Sequence, residues 1–209
     1  MLDPKRFKAP YIQRDAIWAN AEAVRRKYPR AQRIPVDVVA LAEFDLKLPI
    51  EVEIGLRDQC SVEAFLLRDF TKLRLDRDAF MDERRQARLR FSVAHELGHF
   101  FLHSGIFKGL AFASVDEWVN FIKLVPDKEY GWIEFQAYEF AGRLLVPPTE
   151  LSKQLKGAVK KAEAAGFTDW DKSGEAAIAY IAAGICEAFE VSDAVISKRI
   201  RSEGLWPPR

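Results

Sequence analysis

The stretch that decides the fold runs Arg90-Phe91-Ser92-Val93-Ala94-His95-Glu96-Leu97-Gly98-His99-Phe100-Phe101-Leu102-His103. Two histidines four positions apart fall about 40° apart around a helix, so both imidazoles can reach one metal ion. Glu96 stands one residue from His95 and three from His99. It can sit beside the ion's open position without ligating it, which is where a general base belongs. Val93, Leu97, Phe100 and Phe101 make the helix a core element, so the histidines face a dry interior or a cleft. The chain has only three histidines, and a chance His-Glu-x-x-His in such a composition arises on the order of once in a few hundred chains. The helix is expected to run from Asp82 to His103 and to stop at Ser104-Gly105.

A catalytic zinc needs a third protein ligand and an open fourth position. A third histidine six residues beyond His99 is excluded, because position 105 is glycine. His103 continues the same helical row. Three successive turns do not easily converge on one tetrahedral ion, which leaves His103 a capping or ligand-supporting role. The next helix, expected from Glu129 to Val146 and ended by Pro147-Pro148, offers Glu134. At about 100° per residue, Ile133, Ala137, Phe140, Ala141, Leu144 and Leu145 form one apolar arc that contains Glu134. Gln136, Glu139 and Arg143 fall on the opposite face. A carboxylate on the apolar face is costly unless a cation compensates it, and a zinc ion would do so.

Working outward, residues 48–77 alternate polar and apolar in PIEVEIGL, EAFLLRDF and TKLRLD, which predicts three strands of a small mixed or antiparallel sheet. Helices are expected upstream at 13–28 and from Pro35. The 104–130 connection is rich in aromatics, and the capping box Ser114-Val115-Asp116-Glu117 begins a short helix within it. Helices near 149–165, 174–189 and 192–203 complete the chain, with Gly166–Gly174 as the internal linker. The fold class is α+β: a twisted three- or four-stranded sheet packed on the metal-site helices, then an all-helical C-terminal region. The expected division is a metallopeptidase domain over 1–150 and a helical region over 151–209 that is helix-turn-helix-like, with Lys198, Arg199 and Arg201 on its last helix.

These residues resemble the ImmA/IrrE family of metallopeptidases. The resemblance is carried by Arg90–His99 with Phe101-Leu102-His103, then by Glu134, Ala137, Phe140, Ala141, Leu144, Leu145 and Pro147, and by Ala188-Phe189, Val191-Ser192, Arg199 and Gly204-Leu205. It implies a gluzincin-like site, with one zinc per chain on His95, His99 and Glu134 and with Glu96 as the base. It also implies a regulatory endopeptidase whose substrate is a helix-turn-helix transcriptional repressor, cleaved under stress or DNA damage. Two positions depart from the pattern: Tyr138 stands where many relatives have asparagine, and Gly142 replaces a commoner alanine. An electrophile for the oxyanion is also needed, for which Tyr130, Tyr138 and Arg143 are candidates.

The rest of the composition sets bounds. Net charge is +1 over 209 residues, which does not mark a nucleic-acid coater. Residues 1–33 nevertheless carry nine Lys or Arg against three acids, and Arg84, Arg85, Arg88 and Arg90 form a second basic cluster. Either is a solvated helical face or a surface for an acidic partner or a nucleic-acid activator. Two cysteines, Cys60 and Cys186, are too few for a disulfide scaffold. With no apolar leader and no long apolar run, a cytoplasmic protein without a membrane partner is expected. Cys186 lies in an apolar helix and reads as core. Cys60 sits in a polar break beside the site, where a thiolate could fill the fourth zinc position and silence the enzyme. The competing readings are a catalytically idle zinc-containing module acting through protein or nucleic-acid contacts, and a small amide hydrolase with a deep closed pocket.

Overall fold

The computed structural model describes residues 3–60, 62–67, 70–107, 115–167 and 169–208, with only the backbone described at 59, 60, 115, 116, 171 and 172. Helix α1 (Arg14–Lys27) is followed by short turns of helix at Pro29–Gln32 and Val38–Ala40. Pro35 stands before the helix it was expected to open; Asp37 caps it by accepting from the Ala40 N–H at 3.0 Å. The sheet follows as β1 (Ile50–Glu53), β2 (Ala64–Leu66) and β3 (Leu73–Asp76). Its order is β1-β3-β2, with β1 parallel and β2 antiparallel to β3. The mixed sheet expected from the alternation is present, with three strands among the described residues. The break between β1 and β2 holds a short helix, Leu56–Cys60; the side chain of Cys60, proposed as a zinc-capping thiolate, lies outside the described residues.

Helix α2 (Gln86–Phe107) carries the two site histidines; it starts four residues later than its sequence predicts and runs one turn further, so that Ser104 and Gly105 lie within it. Burial overrides the stop signal. Phe107 is fully buried and stacks on Phe70 and edge-on to Trp118, so unwinding at Gly105 would withdraw a large ring from the core. Trp118 belongs to α3 (Val115–Ile122); Ser114, the expected cap, lies outside the described residues. Helix α4 (Asp127–Leu145) ends just before Pro147, as expected.

Helix α4 departs from its sequence reading in one respect that matters for the site. Gln136 and Glu139, on the face opposite the apolar arc, are buried. The helix lies between α2 and α1, and α1 meets its polar face with matched groups. Trp18 Nε1–H donates to Glu139 at 3.2 Å, Arg14 stands 3.6 Å from the same carboxylate, Arg143 pairs with Glu22 at 2.8 Å, and Arg25 donates to the Leu144 carbonyl at 3.1 Å. A buried polar face is tolerated because its hydrogen-bonding groups are met. Part of the N-terminal basic cluster is thereby used internally, as is Lys8, which pairs with Glu129 at 3.0 Å. In the second cluster Arg84 and Arg85 lie against Asp82, Arg88 against Glu63 and Arg90 against Glu190.

Helices α5 (Pro148–Ala164), α6 (Trp170–Ile185) and α7 (Asp193–Ser202) close the chain. The expected linker is only partly non-helical: α6 begins at Trp170 and bends at Gly174, whose φ is +38°. Ile196 and Ile200 of α7 join the same hydrophobic cluster as Val93 and Phe140. The three cations of α7 are engaged within the chain: Lys198 with Glu139, Arg201 with Glu175, and the buried Arg199 with Glu203 and the Trp18 ring. A Cβ on Gly142 would lie 3.1 Å from Arg199 Cδ, so the departure to glycine at 142 makes room for this arginine. Cys186, expected in the core, is only partly buried, in a 3-10 turn, and donates to the Ala183 carbonyl.

Candidate metal centre and active-site cleft

Close approach of α2 and α4 builds the site. A Cβ at Gly98 would lie 2.9 Å from Ala137 Cα and 3.0 Å from its carbonyl oxygen. Only glycine lets the two backbones meet there, one turn from Glu134 on α4 and one residue from His99 on α2. At that separation His95, His99 and Glu134 each offer a ligand atom, and these atoms all lie within 4.8 Å of one another. His95 Nε2 and His99 Nε2 are 3.1 Å apart, and they stand 3.1 and 3.4 Å from the Glu134 carboxylate oxygens. Ligand atoms around a tetrahedral zinc are about 3.3 Å apart, so these spacings fit one ion.

The donor chemistry agrees. Two imidazole Nε2 atoms that face each other at contact distance oppose their lone pairs unless a proton or a cation lies between them. Burial works against ionisation of Glu134, but hydrogen bonds from His95 and His99 hold its carboxyl far below the ordinary carboxylate range. It is therefore a charged donor. His95 Nδ1 is buried without a hydrogen-bond partner among the described residues, so nothing there competes for the imidazole's orientation.

Glu96 is buried beside this group, and its Oε2 accepts the Leu66 N–H at 3.0 Å. That bond follows from the sheet. Glu63, Phe65 and Leu67 face β3, as the Asp76 N–H to Glu63 carbonyl bond (2.8 Å) and the Leu67 N–H to Lys72 carbonyl bond (3.0 Å) require. The alternate residues Ala64 and Leu66 then turn their backbone groups to the outer edge. Leu66 spends its N–H on Glu96, and Ala64, itself buried, lines a cleft of about 390 Å³ with its N–H and C=O on the side away from β3. The cleft runs from this edge, across His95, Glu96 and Glu134, to Trp118, Val119 and Ile122 of α3.

Tyr130 and Tyr138 both line the cleft, as an oxyanion role needs. The Tyr138 ring stacks on Phe91 and lies 4.5 Å from the His95 ring. Burial, with the nearby Glu134 charge, raises its phenol above the ordinary value and so keeps it a proton donor at neutral pH. Arg143, the third candidate, is held in the cluster with Glu22, Glu203 and Trp18. His103 is fully buried and touches His99 instead of the cleft: the two Nδ1 atoms are 3.0 Å apart. Arg88, Glu63 and the α3 residues escaped the sequence reading. Arg88 pairs with the buried Glu63 at 2.7 Å at the cleft wall. The aromatic richness of the 104–130 connection was the only sequence sign that this segment packs against the site.

A histidine pair with an intervening glutamate on α2, joined by a glutamate from α4, is the donor set of a metallopeptidase-type site. The chain belongs to the Peptidase M78 family: the family model, the IrrE N-terminal-like domain, matches residues 80–201, more than half of the chain, and spans every one of the residues just named on α2 and α4. No curated protein matches the chain. Among the described residues no helix is long and apolar enough to cross a membrane.

Proposed function

We propose that the protein is a zinc-dependent endopeptidase in which His95, His99 and Glu134 hold one zinc ion and Glu96 is the general base. The observation that carries this reading is the convergence of three ligand atoms, with a buried carboxylate beside them, on a cleft bounded by a sheet edge. Zinc held there supplies Lewis acidity to the scissile carbonyl and lowers the pKa of water at the site. Glu96 takes a proton from the attacking water and returns it to the leaving amine nitrogen. The Leu66 N–H holds Oε2 of Glu96 and so sets the orientation of the carboxylate. The Ala64 N–H and C=O pair with the backbone of an extended substrate, which reads peptide as such and leaves side chains to the cleft walls. Tyr138 or Tyr130 donates to the oxyanion.

The substrate we infer is a helix-turn-helix repressor cleaved in a stress response, supported by the family membership and by the groove-like boundary of the cleft. Cleavage of candidate repressors by the zinc-loaded protein tests this. Glu96→Gln should keep its zinc and lose cleavage by about 10²–10⁴-fold; cleavage retained in that variant would refute the assigned base. Generic peptides should be poor substrates.

A further inference from the structure

All three histidines of the chain belong to one connected array, and it continues past the ligands. His99 Nδ1 meets His103 Nδ1 at 3.0 Å; His103 Nε2 meets Gln136 Oε1 at 2.8 Å; Gln136 Nε2 meets the Pro10 carbonyl at 2.7 Å. His99, His103 and Gln136 are each at most 1% exposed.

The end of the array fixes its direction. A backbone carbonyl can only accept, so the Gln136 amide must turn its NH₂ to Pro10 and its oxygen to His103. His103 must then carry a hydrogen on Nε2, and as a neutral imidazole it presents a lone pair at Nδ1. Across 3.0 Å that lone pair requires the hydrogen on His99 Nδ1. With a metal bound, His99 Nε2 would then present its lone pair to the ion in the place now bridged by hydrogens between His95 Nε2, His99 Nε2 and the Glu134 carboxylate. Reversing the Gln136 amide would set its oxygen against the Pro10 carbonyl, and with His103 neutral, reversing the His99 bond would set two Nδ1 lone pairs face to face.

We propose that His103 and Gln136 are positioning residues that hold His99 in its metal-binding tautomer through a one-way relay anchored on the Pro10 carbonyl. The proposal rests on the reading of His99 as a zinc ligand. It also gives the N-terminal segment, which lies outside the matched residues 80–201, a part in the site. Phe7, buried against Phe121, and Ala9, whose N–H donates to Glu129 at 2.9 Å, hold that segment on the start of α4 and so keep Pro10 in place.

The test has two arms. Zinc affinity is measured by competition with a chromogenic chelator for the wild-type protein, His103→Leu and His103→Asn. His103→Leu removes the acceptor and should lose about 10–100-fold in affinity. His103→Asn places Oδ1 near the former Nδ1 and should recover most of the loss. Equal affinities for wild type and His103→Leu, or equal losses in both variants, would overturn the proposal, the second by showing that packing alone matters. The other arm is nitrogen-15 NMR of the three imidazoles in the wild-type protein, with and without zinc, which does not depend on a variant folding. His103 should be neutral with its hydrogen on Nε2, and His99 should carry its hydrogen on Nδ1; a His103 hydrogen on Nδ1 would overturn the proposal. A wild-type protein that takes up no zinc would strike at the ligand assignment instead, and the metal-free spectrum would still decide the direction of the relay.

Discussion

Replacing Gly98 with alanine sets two effects of opposite sign against each other. Within a helix the change alone should stabilise by about 0.8–1 kcal/mol, because glycine loses more backbone freedom on folding. The new Cβ, however, would lie 2.9 Å from Ala137 Cα, 3.0 Å from its carbonyl oxygen and 3.2 Å from its Cβ. Two of those three atoms are backbone, so no rotamer change relieves them and the helices must part by roughly half an ångström. Overpacking of this kind costs about 1–3 kcal/mol, and the rigid neighbours place this case toward the upper end. The net expectation is a loss of about 1–2 kcal/mol, or a fall in Tm of about 2–8 °C for a chain of this size. Glu134 stands one turn from Ala137, and its shift exceeds the roughly 0.2 Å tolerance of a metal–ligand distance, so zinc affinity should fall as well. Thermal unfolding of the metal-free protein and a chelator competition read the two effects separately. A Gly98→Ala protein that is more stable than wild type by the propensity gain, with unchanged zinc affinity, would refute the close-approach account.

Three further outcomes follow from the geometry. Ala64→Pro removes the outward N–H of β2 and should lower kcat/KM on a protein substrate by about 3–10-fold, one hydrogen bond's worth, without changing zinc affinity; an unchanged kcat/KM would exclude strand addition at this edge. One of Tyr130→Phe and Tyr138→Phe should reduce kcat by about 10²–10³-fold, and full activity in both would mean that the oxyanion donor is not a tyrosine. Asp76 is buried, which opposes its ionisation, yet the backbone N–H groups of Arg57 (3.0 Å) and Ala79 (2.9 Å) hold its carboxyl below the ordinary value. Asp76→Asn should therefore destabilise by about 1.5–3 kcal/mol near neutral pH. The lowered carboxyl contributes fully above the ordinary value of about 3.9, and its contribution is lost as pH falls through the folded value, so the gap between variant and wild type should close in acid; a gap that widens on acidification would reverse the sign.

The spacing of His95, Glu96 and His99 was legible because a four-residue interval on a helix has one geometric meaning, and Glu134 because a lone carboxylate on an apolar arc needs a reason. The limits of the helices and strands were legible to within a few residues where prolines and alternation marked them, as at Pro147 and in β3. Gln136 and Glu139 were read on the face opposite the apolar arc, but their burial was not legible, because periodicity separates apolar from polar faces without showing what covers the polar one. It cannot see that α1 arrives with Trp18 and Arg14 to satisfy that face. The stop read at Ser104-Gly105 failed for a related reason: local propensity is worth about 1 kcal/mol and burial of the Phe107 ring is worth more. Pro10 lies 126 positions from Gln136, and nothing local in either residue signals that they meet.

Zinc-edge X-ray absorption, with metal stoichiometry from the same purified sample, tests the central claim most directly. The expected result is one zinc per chain with nitrogen and oxygen neighbours only, two of them imidazoles, and loss of the metal in His95→Ala. A chain that takes up no zinc after incubation with the metal, or a zinc whose neighbours lack the imidazole pair, would contradict the account.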